Sequence, residues 1–109
     1  MQFKYDVEAI FHFTDDKKNS IYEGYRPAHM VKEGYLTTGV HSYYETKKGA
    51  DERKGMIAFL SPEFYSGCLW IGKEIAMYEG GKMVGYAIIT QIINSVLKGH
   101  APSSQIKTR

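Results

Sequence analysis

Apolar and polar residues alternate from Phe3 to Thr14, and this is the clearest pattern in the chain. One face carries Phe3, Tyr5, Val7, Ala9, Phe11 and Phe13, and the other carries Lys4, Asp6, Glu8 and His12. Side chains of a strand point to opposite faces in turn, so the pattern predicts a strand with one buried face and one wet face.

Further segments rich in β-branched and aromatic residues follow at intervals of about ten residues. They are 28–32, 35–44, 55–60, 73–78 and 82–93, with the short apolar run 68–71 as a seventh candidate. Segments rich in turn-forming or charged residues separate them, and Gly39 indicates a bulge within 35–44. Several short strands with regular turns predict a small barrel or sandwich.

The longest apolar run, 82–93, supports two interpretations. Gly80 and Gly81 precede it and predict a hairpin turn, because glycine accepts the positive φ angles of such turns. The apolar residues of 87–98 also repeat at helical spacing, and Gly99 stands where a helix could end. The dense β-branching and the hairpin signal count against the helix, and a compromise between the two, a strand to about Ile93 followed by a short helical or disordered tail, is also open.

A length of 109 residues predicts one domain. We expect a barrel over 1–95 and a basic, poorly ordered tail over 96–109, because no acidic residue follows Glu79. Cys68 is the only cysteine, so an internal disulfide is excluded. The sequence has no apolar signal core and no segment long enough to span a membrane, which predicts a cytoplasmic protein.

The sequence has no recognisable catalytic motif. It lacks a phosphate-binding loop and a nucleophile elbow, and its four histidines, at 12, 29, 41 and 100, lack the paired spacing of a zinc site. Adjacent acidic residues at 15–16 and 51–52 fall in turns rather than in opposed positions suited to acid–base catalysis. We therefore expect a protein that is not an enzyme and that has no metal or cofactor.

Three segments, in order, resemble the third, C-terminal domain of translation elongation factor Tu. Gly24-Tyr25-Arg26-Pro27 with Thr37-Thr38 resembles the GYRP…RTT segment of the family, and 79–85 is similar to its REGGRTVG segment. Between them, 56–62 looks like the strand that leads into the family's His-Pro loop. The resemblance covers about Phe3 to Ile93.

This resemblance implies an all-β fold, a six-stranded antiparallel Greek-key barrel, and a strand at 82–93. It also implies a stand-alone copy of a domain that binds no GTP and contacts aminoacyl-tRNA and neighbouring domains. The chain departs from the family at Ala28, Leu36, His41 and Ser61. These departures weaken the expectation that it binds tRNA as the family does.

Two functional hypotheses follow. The first is a non-catalytic module that binds a protein partner or a second copy of itself, with candidate contacts Tyr25, Met83, Ala87, Ile89 and Ile93. It depends on 82–93 being apolar at both sets of alternating positions. One set faces the barrel core, and the other would be exposed unless a partner covers it. A decoy that mimics the factor's domain fits equally well. The second is an RNA-binding module for tRNA-like helices, with candidate contacts Lys17, Lys18, Arg26, His41, Gly80 and Lys82.

Overall fold

The structure is a computed structural model that describes residues 4–44 and 50–102. Its strands are β1 Val7–Phe13, β2 Ala28–Lys32, β3 Tyr35–Tyr43, β4 Glu52–Phe59, β5 Glu74–Glu79 and β6 Lys82–Ile92. Short 3-10 turns occupy Lys18–Ser20, Pro62–Tyr65 and Ser95–Leu97. No helix within the described ranges is long and apolar enough to cross a membrane.

The six strands close into a barrel in the order β1-β4-β3-β2-β5-β6, and each neighbouring pair is antiparallel. β1 lies between β4 and β6, so the first and last strands of the chain complete the closure. Each strand has a neighbour on both sides, so no strand forms a free sheet edge, although β2 and β5 pair only over Ala28 and His29 of β2. The prediction of an all-β, six-stranded antiparallel barrel is confirmed.

The barrel interior is filled by alternate residues of the strands. β1 buries every second residue, as predicted, and contributes Phe11 to the centre. The other large, fully buried side chains include Ile57, Leu69, Ile75, Met77 and Ile89. Burial of this kind removes roughly 25 cal/mol of unfavourable hydration per Å² of apolar surface, and it stabilises the closed form.

The strand interpretation of 82–93 is correct, and the alternative helix over 87–98 is wrong. β6 runs to Ile92 and pairs with β1 on one side and β5 on the other. Those two partners satisfy the backbone groups of β6, so a helix offers no advantage there. Helical geometry appears only afterwards, as the single 3-10 turn Ser95–Leu97.

A β-bulge in β6 changes which residues face the core. Tyr78 lies opposite Met83 and Met77 lies opposite Gly85, so Val84 is an extra residue in β6. Val84, Ala87 and Ile89 are all buried, although Val84 and Ala87 are an odd number of residues apart. The prediction that Ala87 and Ile89 form an exposed contact face is therefore wrong, because the bulge rotates that phase into the interior.

Gly39 does not mark a bulge. The pairing of β3 with β4 runs without a shift from Gly39 to Tyr43. A Cβ atom at Gly39 would lie 2.6 Å from Ile57 and 2.7 Å from the ring of His29. The glycine is needed because two side chains of the interior occupy the space above it.

The residues that follow β6 pack against the chain at 67–69. Leu97 is fully buried, the Gly67 amide donates to the Val96 carbonyl at 2.8 Å, and the Gly99 amide donates to the Leu69 carbonyl at 2.7 Å. The predicted tail thus begins with residues that belong to the packed domain, while 103–109 lie outside the described residues. The seventh strand predicted at 68–71 is reduced to one bridge between Leu69 and Lys98.

Lys73 fastens the loop before β5 to the barrel. Its Nζ donates to the carbonyls of Val31 at 2.6 Å and Cys68 at 2.7 Å, and it lies 4.4 Å from the centroid of the Trp70 ring. Burial lowers the pKa of this amine. Pairing between β2 and β5 covers only Ala28 and His29 of β2, so this side chain bridges the part of the seam that lacks a ladder.

Candidate protein-docking surface

Most of the predicted RNA-binding cations lie together at the β5–β6 turn, and each is paired with a carboxylate. Lys17 Nζ is 2.7 Å from Glu79 Oε1, and Lys82 Nζ is 2.6 Å from Asp16 Oδ2. Lys18 lies between Asp15 and Asp51, at 3.5 and 3.0 Å. Gly80 forms the turn beside them with φ of 59°.

The electrostatics of this cluster are balanced rather than positive. The hydrogen bond from Lys82 lowers the pKa of Asp16 to about 2, and the bond from Lys17 lowers that of Glu79. Asp51 raises the pKa of Lys18 in the same way. Three lysines here face the four carboxylates Asp15, Asp16, Asp51 and Glu79, so the cluster presents no net positive charge to a phosphate.

Tyr25, a predicted protein contact, is 3% exposed and belongs to the core beside this cluster. Its hydroxyl donates to Glu79 Oε1 at 2.6 Å, and the Lys17 amine lies 4.8 Å from its ring centroid. Burial, with Glu79 beside it, raises the pKa of the phenol. Tyr25 therefore links the loop between β1 and β2 to the β5–β6 hairpin, and it offers almost no surface to a partner.

His41 is also buried, so its assignment to an RNA-binding face is wrong. Its Nε2 lies 2.8 Å from His29 Nε2, and its Nδ1 lies 2.6 Å from the Tyr43 hydroxyl. Phe11 stacks on the His41 ring at 4.3 Å between centroids. Burial lowers the pKa of both histidines, so both rings are neutral and one donates to the other.

Of the predicted protein contacts, Met83 and Ile93 are exposed, at 44% and 47%. They flank the two ends of β6, a strand of 11 residues. At about 3.3 Å per residue they lie roughly 30 Å apart, so a single small interface cannot contain both. Ile93 has the richer apolar surroundings.

Four of the nine large apolar side chains that are exposed in the described part of the chain lie in or beside two turns close to Ile93. The turns Pro62–Tyr65 and Ser95–Leu97 pack against each other there. Leu60 is 65% exposed, Phe64 69% and Val96 38%. We call the set Leu60, Phe64, Ile93 and Val96 the apolar end surface. Its members other than Ile93 were missed by the sequence analysis, because exposed apolar residues outside the predicted strands carry no periodic signal.

Two neighbouring cavities open beside the apolar end surface. One, of about 640 Å³, is lined by Lys4, Tyr5, Asp6, Phe59, Pro62, Ile93 and Asn94. The other, of about 460 Å³, is lined by Lys4, Arg26, Thr38, Val40, Ala58, Phe59, Leu60 and Ser61. Lys4 and Phe59 line both, so the two cavities adjoin, and we call them together the Lys4 groove. Arg26, a predicted RNA contact, lies in its second half.

Asp6 organises the floor of the Lys4 groove. The prediction placed it on the wet face of β1, but it is 4% exposed. Its Oδ2 accepts from the Phe59 amide at 2.7 Å, and its Oδ1 accepts from Asn94 Nδ2 at 2.8 Å. Its carbonyl accepts from the amides of Ile93 and Asn94. One residue therefore joins the start of β1 to the ends of β4 and β6.

We expect Asp6→Ala to destabilise the protein by about 2 kcal/mol, because the buried Phe59 amide would lose its acceptor. Asp6→Asn keeps one acceptor oxygen and should lose less. Urea unfolding followed by circular dichroism measures both. Glu74→Ala, on an exposed carboxylate at the start of β5, is the control and should stay within about 0.5 kcal/mol of the parent. An equal loss in all three variants would contradict this role for Asp6.

Within the described residues, no group of three or more histidine, cysteine, aspartate or glutamate side chains is arranged to hold a metal ion. Burial raises the pKa of the Cys68 thiol, which disfavours the nucleophilic thiolate.

Neither a scan against protein-family models nor a search of curated proteins found a match to the chain.

Proposed function

We propose that this protein is a non-catalytic binding module, related to the third domain of elongation factor Tu, that holds a protein partner. The strand order supports the relationship, because β2, β3 and β4 are consecutive neighbours and β1 lies beside β4, as in a Greek key. The glycines of the similar Glu79–Gly85 segment support it too. They occupy positive φ angles at the β5–β6 turn and at the bulge of β6.

The observation that carries the binding function is the apolar end surface. Four large apolar side chains are exposed on adjoining segments, beside a groove floored by Phe59 and Pro62. Scattered exposed apolar residues are ordinary, but several on adjoining segments beside a groove favour a protein contact. A translation-related or factor-mimicking role stays part of this proposal.

RNA binding is the second candidate, and the ion pairs weigh against it. Lys17, Lys18 and Lys82 are each engaged with carboxylates, and His41 is buried. An RNA-binding module would retain aminoacyl-tRNA with an affinity that falls steeply as salt rises. We expect no such salt-dependent binding when the chain is titrated with aminoacyl-tRNA.

The test compares capture of proteins from a native lysate by three forms of the chain. We expect the parent and Met83→Asp to capture the same partner, and Phe64→Asp/Ile93→Asp to lose it by tenfold or more. Met83 is a matched control because it is exposed to about the same degree as Ile93 at the far end of β6. Light scattering of the purified chain measures its molar mass and so shows whether a second copy of the chain is the partner.

A chain that stays monomeric and captures no protein would overturn the proposal. Equal capture by all three forms would show that the partner binds elsewhere than the apolar end surface.

A further inference from the structure

The Lys4 groove has an asymmetric charge. Lys4 lines both halves and is exposed, and Arg26 lines the second half and is exposed as well. Among the described residues that line the groove, Asp6 carries the one carboxylate. Both of its oxygens already accept hydrogen bonds from Phe59 and Asn94. Glu63 lies in the adjoining turn but lines neither half.

The groove also offers apolar contact on either side of Lys4. The first half presents Phe59, Pro62 and Ile93, and the second presents Val40, Ala58 and Leu60. The volumes of about 640 and 460 Å³ are within the range of pockets that bury small organic ligands, so each half has room for a large side chain. A ligand that fills the groove thus meets apolar walls with positive charge at the rim.

From this charge and shape we infer that the Lys4 groove binds a peptide segment of the partner in which an apolar side chain is flanked by acidic residues. The inference rests on the proposed function and specifies the chemistry of the partner. The apolar side chain packs on Phe59 and Ile93, and an adjacent carboxylate faces the ammonium of Lys4. Opposite charge at the rim raises the rate of association and excludes basic segments, while the apolar contact supplies most of the affinity.

The experiment selects ligands for the full chain from a phage-displayed library of random dodecapeptides. We expect the recovered peptides to place Asp or Glu within two positions of a large apolar residue. Fluorescence anisotropy of a recovered peptide then gives affinities for the parent, Lys4→Glu, Ile93→Asp and Lys54→Glu. Lys54 is an exposed lysine near the other end of β4 from Phe59, so Lys54→Glu makes the same change in net charge away from the groove.

We expect Lys4→Glu and Ile93→Asp each to weaken binding tenfold or more, Lys54→Glu to leave it within twofold, and added salt to weaken binding to the parent. Equal loss in Lys4→Glu and Lys54→Glu would reduce the effect to net charge and overturn the inference. Recovery of basic or uncharged peptides would overturn it too, as would RNA binding that Lys4→Glu abolishes. Lysate capture that depends on Ile93 alongside a library that yields no acidic ligand would refute the inference and leave the proposed function standing.

Discussion

Gly85→Ala is expected to destabilise the protein by about 3–5 kcal/mol, a loss large enough to unfold a domain of marginal stability. Gly85 has φ of 154° in the bulge of β6. A Cβ atom there would lie 2.1 Å from the His12 carbonyl oxygen and 2.9 Å from the Phe13 Cα. Both neighbours are backbone atoms of β1, so relief requires the seam that closes the barrel to separate. Urea unfolding followed by circular dichroism measures the change.

Gly24→Ala separates the two parts of this effect. Gly24 also has a positive φ, 86°, but no atom lies within 4 Å of the position its Cβ would take. We expect that variant to lose about 1 kcal/mol, the cost of holding alanine in the left-handed region. A Gly85→Ala variant as stable as Gly24→Ala would mean that β1 and β6 are not in close contact at the bulge.

The second large effect is a loss of stability in acid caused by the His29–His41 pair. Burial lowers the pKa of His29 from 6.5 to about 4 and lowers that of His41 as well. Below pH 6.5 these two histidines become protonated in the unfolded chain but stay neutral in the folded chain. Acidification therefore favours unfolding. His29 alone should remove about 3 kcal/mol of stability between pH 6.5 and pH 4. Above pH 6.5 the pair adds no pH dependence.

Few groups near the pair could stabilise the positive charge of a protonated ring. Tyr43 contacts His41 through its hydroxyl, and the aromatic rings of Phe11, Phe13, Tyr25 and Phe59 surround the pair. The backbone of Pro27 and Thr37 lies beside His29 and raises its pKa, but burial is the larger effect. Urea unfolding at a series of pH values measures the effect, with His12→Gln as the control because His12 lies on the barrel surface. NMR titration showing either buried ring protonated in the folded protein near pH 6.5 would contradict the prediction.

The strands were predictable because they depend on local pattern. The bounds predicted for Ala28–Lys32 agree with β2, and those for 82–93 agree with β6 to within one residue. The pattern alone left six or seven strands and a barrel or a sandwich open, and the six-stranded antiparallel barrel was what the family resemblance implied. The resemblance to the third domain of elongation factor Tu, and with it the Greek-key assignment, stays a prediction.

The candidate site was much less predictable, because surface and core were assigned by assuming a regular pleat. The bulge at Val84 and Gly85 moved Ala87 and Ile89 inside. Asp6 was assigned to the solvent-exposed face because of its place in the alternation. It is buried, and its carboxylate accepts hydrogen bonds from the Phe59 amide and the Asn94 side chain. Lys17 was interpreted as an available cation, yet Glu79 lies 2.7 Å away. Each of these partners is distant in the sequence.

Alternation of apolar residues, glycine turns and β-branching were enough to predict six or seven short strands in a small barrel or sandwich, since each of these acts over a few neighbouring residues. Which side chains remain on the surface was settled by contacts between strands remote in sequence. Lys4, Phe59 and Ile93 line one groove because β6 pairs with β1, the register of β6 shifts at Gly85 and two short turns pack together. No local pattern in the sequence predicts that these three residues lie close to one another.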